Sequence, residues 1–136
     1  MKIGLVIADD AEFAPILEKS RAYSGEEFNL CGDKALSFET FKGNEIVAVL
    51  CGTGKVNAAG ATATLICKEK PDCIINFGLS GAIKDVYKND IVIGTHFVEH
   101  DFDLTPLGYE LGVKPQQKYI YEPDKELFDR FVAKFS

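Results

Sequence analysis

The chain has 136 residues, of which 46% are apolar and 26% are charged, as is typical of one soluble globular domain. Acidic side chains outnumber basic ones by 21 to 15, and the arginines are Arg21 and Arg130. This balance argues against a nucleic-acid partner, because binding to a phosphate backbone needs a lysine- and arginine-rich surface that releases counterions.

The pattern of apolar residues predicts an α/β protein with a mixed sheet in a single domain. Apolar runs predict strands at residues 3–8, 36–41, 45–50, 73–77 and 90–97. Helical spacing predicts helices at residues 12–19, 55–70 and 124–135. The Lys42-Gly43-Asn44 turn predicts a hairpin, and residues 102–118 are expected to be a loop. In the last helix four side chains are expected to face inward: Leu127, Phe128, Phe131 and Val132.

The four cysteines contain no Cys-x-x-Cys pair, and three of them lie in apolar runs. We therefore interpret Cys31, Cys51, Cys67 and Cys73 as reduced core residues, and not as zinc ligands or a disulfide framework. The first apolar run is too short for a secretory signal, and no stretch approaches the length of a membrane span. The sequence therefore predicts a cytoplasmic protein that does not bind a membrane.

Two glycine-rich turns follow predicted strands. Gly52-Thr53-Gly54-Lys55 follows the strand at 45–50, and Gly78-Leu79-Ser80-Gly81 follows the strand at 73–77. Ligands of α/β sheets bind beyond the carboxyl ends of the strands. We therefore expect both turns to lie at one edge of the sheet, around a small-molecule site.

Neither turn fits a standard nucleotide or hydrolase motif. A P-loop would need glycine at Val49 and Ser or Thr at Val56, and a dinucleotide fingerprint would need glycine at Asn57. Around Ser80 the second glycine comes one residue too early for a nucleophile elbow, so Ser80 is not expected to be a nucleophile.

Metal-compatible side chains gather near the end of the fifth predicted strand, at His96, His100, Asp101 and Asp103. Their spacing matches no standard metal site. We interpret them as loop-stabilising hydrogen-bonding groups, and no metal is expected.

Four blocks in order carry a resemblance to a known family. They are Met-Lys-Ile-Gly-Leu-Val-Ile-Ala with Glu12, Gly-Thr-Gly-Lys-Val-Asn-Ala-Ala, Asn-Phe-Gly-Leu-Ser-Gly-Ala and His-Asp-Phe-Asp-Leu-Thr-Pro-Leu-Gly-Tyr. Together they resemble the nucleoside phosphorylase superfamily, and most of all the methylthioadenosine/S-adenosylhomocysteine nucleosidases. The resemblance implies a mixed-sheet α/β/α sandwich that cleaves the bond between ribose and a purine base, without a cofactor, in a homodimer.

The resemblance also implies roles for particular residues. Glu12 would activate the attacking water as a general base; its alternative role is a helix-start acid that interacts with the helix dipole. Thr53 would approach the ribose and base, while Ser80 and Gly81 would line the sugar; the alternative for these three is ordinary turn chemistry.

The resemblance further implies that the loop at residues 102–118 completes the pocket of the neighbouring subunit and holds the 5′ substituent of the substrate. The loop residues expected to do this are Leu104, Leu107, Tyr109 and Pro115. Without the resemblance they would be an ordinary hydrophobic loop.

Two departures from the family bear on catalysis. The family has Ser or Thr at Leu79, and leucine lacks the hydroxyl that would help to orient the phosphate, water or ribose. The family's ribose-binding glutamate and the aspartate that protonates the leaving base come later than residue 136. The expectation is therefore a C-terminally truncated part of the fold with the base but without the acid, so negligible glycosidase activity.

Two alternatives to a nucleosidase remain open. The loop at residues 8–12 carries three carboxylates and no arginine, and Ile75-Asn76 stands where phosphate-binding relatives have an arginine, so hydrolysis is favoured over phosphorolysis. The second alternative is a nucleoside-binding or oligomerisation half-domain that has lost its chemistry.

Overall fold

The computed structural model describes residues 1–135. The chain divides into two compact units, the first at Met1–Gly81 and the second beginning at Ala82. No helix within the described residues has the length and apolar character to cross a bilayer.

The first unit is a mixed five-stranded sheet with two helices. Its strands are β1 (Lys2–Ile7), β2 (Glu26–Leu30), β3 (Asp33–Glu39), β4 (Glu45–Leu50) and β5 (Cys73–Asn76). Its helices are α1 (Asp10–Arg21) and α2 (Lys55–Glu69). The strand order is β2-β3-β4-β1-β5, in which β4, β1 and β5 are parallel and β2 and β3 are antiparallel to their neighbours.

The two helices cover opposite faces of this sheet. Side chains alternate between the faces along each strand, so Val47 and Val49 pack with Leu65 of α2, whereas Ala48 packs with Phe13 of α1. The result is the three-layer α/β/α arrangement that the family resemblance implies.

Helix α2 lies close to the sheet at Gly4. A Cβ atom at this position would lie 2.7 Å from Cδ2 of Leu65, a side chain that is fully buried. The missing side chain at Gly4 therefore sets how closely α2 packs on β1.

The second unit has little regular structure. It contains a short antiparallel pair, β6 (Phe97–Val98) with β7 (Ile120–Tyr121), a 3₁₀ turn at Thr105–Leu107 and helix α3 (Lys125–Phe135). The main-chain N–H of Leu127 donates to the Asp124 carboxylate at the start of α3.

Four of the five predicted strands correspond to β1, β3, β4 and β5, the fifth is wrong, and β2 and the two-residue strand β7 are not among the predicted strands. The strand predicted at 90–97 is wrong, since only Phe97 and Val98 pair with another strand, and Ile91 and Val92 are 66% and 58% exposed. An apolar run becomes a strand only when its backbone groups find a hydrogen-bonding neighbour. Strand β2 was not predicted, because Glu-Glu-Phe-Asn-Leu lacks an apolar run. The hairpin is confirmed as the β3–β4 pair.

Two expectations about burial are corrected. The apolar face of α3 is not buried within the described residues: Leu127 and Phe128 are half-buried, and Phe131 and Val132 are exposed.

The cysteines are all free thiols, but only one of them is a core residue. Cys51 is buried, Cys73 is half-buried, and Cys31 and Cys67 are exposed. Cys67 lies in an apolar run, but on a face of α2 that points away from the sheet core, so the run by itself did not decide its burial.

We expect Gly4→Ala to destabilise the fold, because the new methyl group must displace the buried Leu65 side chain. Overpacking of this kind costs about 1 to 3 kcal/mol of unfolding free energy. The matched control is Gly60→Ala on α2, where an added Cβ has nothing within 4 Å. That substitution should stabilise the helix by about 0.5 to 1 kcal/mol. Urea unfolding of both variants checks the pair, and equal effects would contradict the packing described.

Candidate functional site

Three strands end together at one edge of the sheet. Strand β1 lies between β4 and β5 and is parallel to both, with Ile7 paired to Leu50 and Val6 paired to Asn76. Hydrogen bonds continue just past the ends, from Cys51 N to Ile7 O at 2.8 Å and from Phe77 N to Val6 O at 3.2 Å. The loops that follow these strands therefore leave the sheet at the same edge, as the sequence predicted.

Glu12 lies in the first turn of α1, directly after the loop that follows β1. The helix begins here because the Asp9 carboxylate accepts a hydrogen bond from Ala11 N at 2.8 Å, which caps the helix. The capped first turn presents the half-buried Glu12 side chain to the turn that follows β5. There Oε1 of Glu12 accepts a hydrogen bond from Leu79 N at 2.7 Å.

Gly78 makes room for this contact. A Cβ atom at Gly78 would lie 2.7 Å and 2.8 Å from the two carboxylate oxygens of Glu12. Atoms at such distances overlap, so the carboxylate occupies the space that any other residue at position 78 would fill.

The turn after β4 is shaped by its own glycines and by Asn57. Gly52 and Gly54 have φ of 79° and 108°, which disfavour residues with a side chain. The side-chain amide of Asn57 donates to the carbonyl oxygen of Thr53 at 2.8 Å. Thr53 itself is exposed at the sheet edge, immediately before α2 begins.

Cys51 is a buried thiol beneath this turn, and its Sγ donates to the carbonyl oxygen of Gly52 at 3.2 Å. Burial raises the pKa of the Cys51 thiol, and the carboxylates of Asp33 and Glu12 raise it further. Cys51 is therefore a packed, poorly ionised thiol at the base of the site.

The candidate residues are divided between the two units. Glu12 contacts the turn that contains Leu79, Ser80 and Gly81, whose side-chain positions are all exposed. The loop residues belong to the second unit: Leu104 and Pro115 are half-buried, and Leu107 and Tyr109 are exposed.

Sequence reasoning missed how Gly78 and Asn57 contribute to these turns. In the sequence, Gly78 is recognisable as part of a glycine-rich turn, and Asn57 only as a departure from a dinucleotide motif. The signal for the Asn57 contact is a polar residue in the first turn of a helix that follows a glycine-rich loop. The contact of Gly78 depends on a residue far away in the chain.

Two of the four metal-compatible residues in the second unit, Asp103 and His96, contact nearby residues of their own unit. The Asp103 carboxylate accepts a hydrogen bond from Thr105 N at 2.8 Å, and hydrogen bonding with Thr105 lowers the pKa of Asp103. His96 Nε2 lies 3.6 Å from Glu122. Among the residues that the structure describes, no three His, Cys, Asp or Glu side chains are grouped to hold a metal ion.

Comparison with known proteins places the chain in a family. The model of the phosphorylase superfamily matches residues 2–135, and the chain belongs to that superfamily. Its relatives include the 5′-methylthioadenosine/S-adenosylhomocysteine nucleosidase of Desulfotalea psychrophila, 36% identical over 130 residues that cover 95% of this chain and 54% of the relative. The chain spans about half the length of the curated relatives it matches.

Solved structures of such nucleosidases share the fold. A mutant of the Helicobacter pylori enzyme with 5′-methylthioadenosine in its active site has a TM-score of 0.87 and 28% identity, covering 98% of this chain and 58% of that one. The Neisseria meningitidis enzyme in complex with methylthio-immucillin-A has a TM-score of 0.85 and 31% identity, covering 99% and 59% of the two chains. The expected nucleoside phosphorylase type of fold is confirmed.

We expect thiol reagents to distinguish the cysteines. At pH 8 iodoacetamide should modify Cys31 and Cys67 in the native protein but reach Cys51 only after unfolding, because Cys51 is buried and its raised pKa leaves little thiolate. Peptide mass spectrometry of a time course checks this. Modification of Cys51 as fast as Cys67 would contradict the packing at the base of the site.

Proposed function

We propose that the protein containing this chain is a nucleosidase that hydrolyses the N-glycosidic bond of methylthioadenosine- or S-adenosylhomocysteine-like purine nucleosides. The observation that carries the proposal is the Glu12 carboxylate, held against the turn after β5 at the edge where β1, β4 and β5 end. The family resemblance supports the same assignment.

The proposed role of Glu12 is to take a proton from the attacking water. Water is a poor nucleophile at neutral pH, and a carboxylate within hydrogen-bonding reach makes it a better one. The hydrogen bond from Leu79 N occupies one oxygen of Glu12 and leaves lone pairs on the other for the water. The surrounding substrate surface would be formed by Thr53, Ser80, Gly81 and the main chain of Leu79. Protonation of the leaving base belongs, by resemblance, to a later segment of the family's fold.

Charge at the site favours water over phosphate as the nucleophile. Asp9, Asp10 and Glu12 place three carboxylates at the start of α1, and like charges repel a phosphate. The Asn76 side chain donates to Val6 O at 3.2 Å, so it serves the main chain of β1 and offers no positive charge. Phosphorolysis is therefore the less favoured reaction.

We expect Glu12→Gln to lower kcat for adenine release from methylthioadenosine by about 10²- to 10⁴-fold, with little change in KM. The amide oxygen of glutamine can still accept the hydrogen bond from Leu79, but the amide cannot accept the proton of the water. The measurement uses the protein expressed from its own complete reading frame, with adenine quantified by chromatography.

The control is Glu18→Gln, which makes the same chemical change at an exposed position of the same helix and should leave kcat unchanged. Equal kcat values for wild type and Glu12→Gln would contradict the role of Glu12 as a base. Glu12 would then be an acid at the start of a helix, which stabilises the fold by about 0.3 to 1 kcal/mol through the helix dipole. Calorimetric binding of a substrate analogue without adenine release would favour the alternative of a non-catalytic nucleoside-binding module.

The proposal includes a homodimer of single-domain subunits in the cytoplasm. Leu107 is 71% exposed, and Tyr109 nearby is exposed as well, in a loop that is also held by an ion pair between Lys114 and Glu99. Exposed apolar side chains on an ordered loop are typical of a surface that packs against a partner. The proposed partner is a second copy of the chain, whose nucleoside pocket Leu104, Leu107, Tyr109 and Pro115 would complete. The free thiols of all four cysteines fit a reducing compartment.

We expect Leu107→Glu to shift the protein from dimer towards monomer, because a carboxylate buried in an apolar contact loses its hydration. Ile83→Glu is the control: it makes the same type of change at a fully exposed residue of the same unit, outside the loop, and should leave the mass unchanged. Light scattering over a concentration series checks both variants. A wild-type protein that stays monomeric at high concentration would contradict the proposed dimer.

A further inference from the structure

We infer that Gly78 is a positioning residue for the proposed reaction, and that it acts together with the main-chain N–H of Leu79 by holding the Glu12 carboxylate in one orientation. This pair of main-chain features is called the Gly78–Leu79 cradle below. The inference rests on the proposed function, because orientation of the carboxylate affects turnover only if Glu12 is the base.

The first observation is the hydrogen bond between Leu79 N and Glu12 Oε1, which is 2.7 Å long and joins residues 67 positions apart. Bonds from an N–H group to a carboxylate are shorter and stronger than bonds between neutral groups. One such bond fixes one oxygen and leaves rotation about it as the remaining freedom of the carboxylate.

The second observation concerns the space that the carboxylate occupies. The three heavy atoms nearest to an ideal Cβ at Gly78 are Oε1, Oε2 and Cδ of Glu12, at 2.7, 2.8 and 2.9 Å. All three atoms of the carboxylate group therefore lie where a side chain at position 78 would begin. Misplacement of a catalytic group by about 1 Å can cost on the order of 10²-fold in rate, so a side chain that displaces the carboxylate is relevant to turnover.

The need for glycine at position 78 comes from Glu12 and not from the backbone. Gly52 and Gly54 adopt the left-handed φ values that favour glycine, whereas Gly78 is not among the residues with positive φ. An alanine at Gly78 would fit its own backbone but would meet the carboxylate. The requirement can thus be tested by changing Glu12.

The cradle also accounts for leucine at position 79. The Leu79 residue is 90% exposed, so its contact with Glu12 is made by the main chain and not by the side chain. A main-chain donor is present in every residue except proline. The hydroxyl found here in the family is therefore not needed for holding the base.

A thermal unfolding cycle tests the contact without reference to activity. Gly78→Ala should lower the Tm of the protein by about 2 to 4 °C, because the new methyl group must displace the end of the Glu12 side chain and break its hydrogen bond to Leu79 N. In the Glu12→Ala background the same change should lower it by less than about 1 °C, because the obstructing carboxylate is gone. Gly81→Ala is the control for stability: an added Cβ there has nothing within 4 Å, so its effect should be small in both backgrounds.

A kinetic cycle tests positioning. In the protein expressed from its complete reading frame, Gly78→Ala should lower kcat for adenine release by about 10- to 100-fold while KM changes less than about 3-fold. In the Glu12→Gln background Gly78→Ala should cost no further kcat, because the residual reaction no longer uses the base. Gly60→Ala on α2 should leave kcat unchanged.

The outcomes separate this inference from the proposed function. Equal Tm losses for Gly78→Ala in both backgrounds would overturn the contact, whatever the enzyme does. Equal kcat losses for Gly78→Ala in the wild-type and Glu12→Gln backgrounds would overturn the positioning role of Gly78. The loss of activity would then come from a general structural defect of the variant. Wild-type protein that releases no adenine would overturn the proposed function and the kinetic role with it, although the Tm cycle would still decide the contact.

Discussion

The hydrogen bond between Leu79 N and Glu12 Oε1 is the interaction on which the candidate site depends. It joins the start of α1 to the turn after β5. The bond is possible because β1 lies next to β5 in a parallel pair, which brings the two carboxyl ends level. It also requires Gly78, since the carboxylate fills the place of a side chain there. Strand order, helix capping by Asp9 and one missing side chain thus combine to fix a single carboxylate.

Apolar periodicity predicted the centre of the fold within about two residues at most strand ends, because β1, β4 and β5 are apolar runs whose character is local. It missed β2, where Phe28 and Leu30 alternate with polar residues and the strand exists by pairing with β3. It wrongly extended a strand through Ile91 and Val92, because apolar character says nothing about whether a pairing partner is present. Helix α1 begins earlier than its apolar spacing suggested, since the Asp9 cap and not the apolar face sets its start.

The common edge of the two glycine-rich turns was predictable, whereas the contacts made there were not. Two glycine-rich turns after apolar strands indicate a shared edge, and the parallel β4-β1-β5 arrangement puts them there. The contact between Glu12 and Gly78 depends on where two distant segments meet in three dimensions, and no local pattern contains that. The same limit applies to Cys51, whose apolar neighbours predicted burial, but whose raised pKa also reflects carboxylates that lie far away in the chain.

Amide hydrogen exchange at Leu79 tests the account most directly. The residue is 90% exposed, and its amide donates a hydrogen bond to Glu12. We therefore expect this bond to be what protects the amide from exchange. Measured by NMR, this amide should exchange slowly in the native protein and in Glu12→Gln, which keeps an acceptor oxygen. It should exchange at least about 10-fold faster in Glu12→Ala, as expected when a local hydrogen bond is lost. Rapid exchange in the wild-type protein, or protection that survives in Glu12→Ala, would contradict the claim that Glu12 is held by the turn after β5.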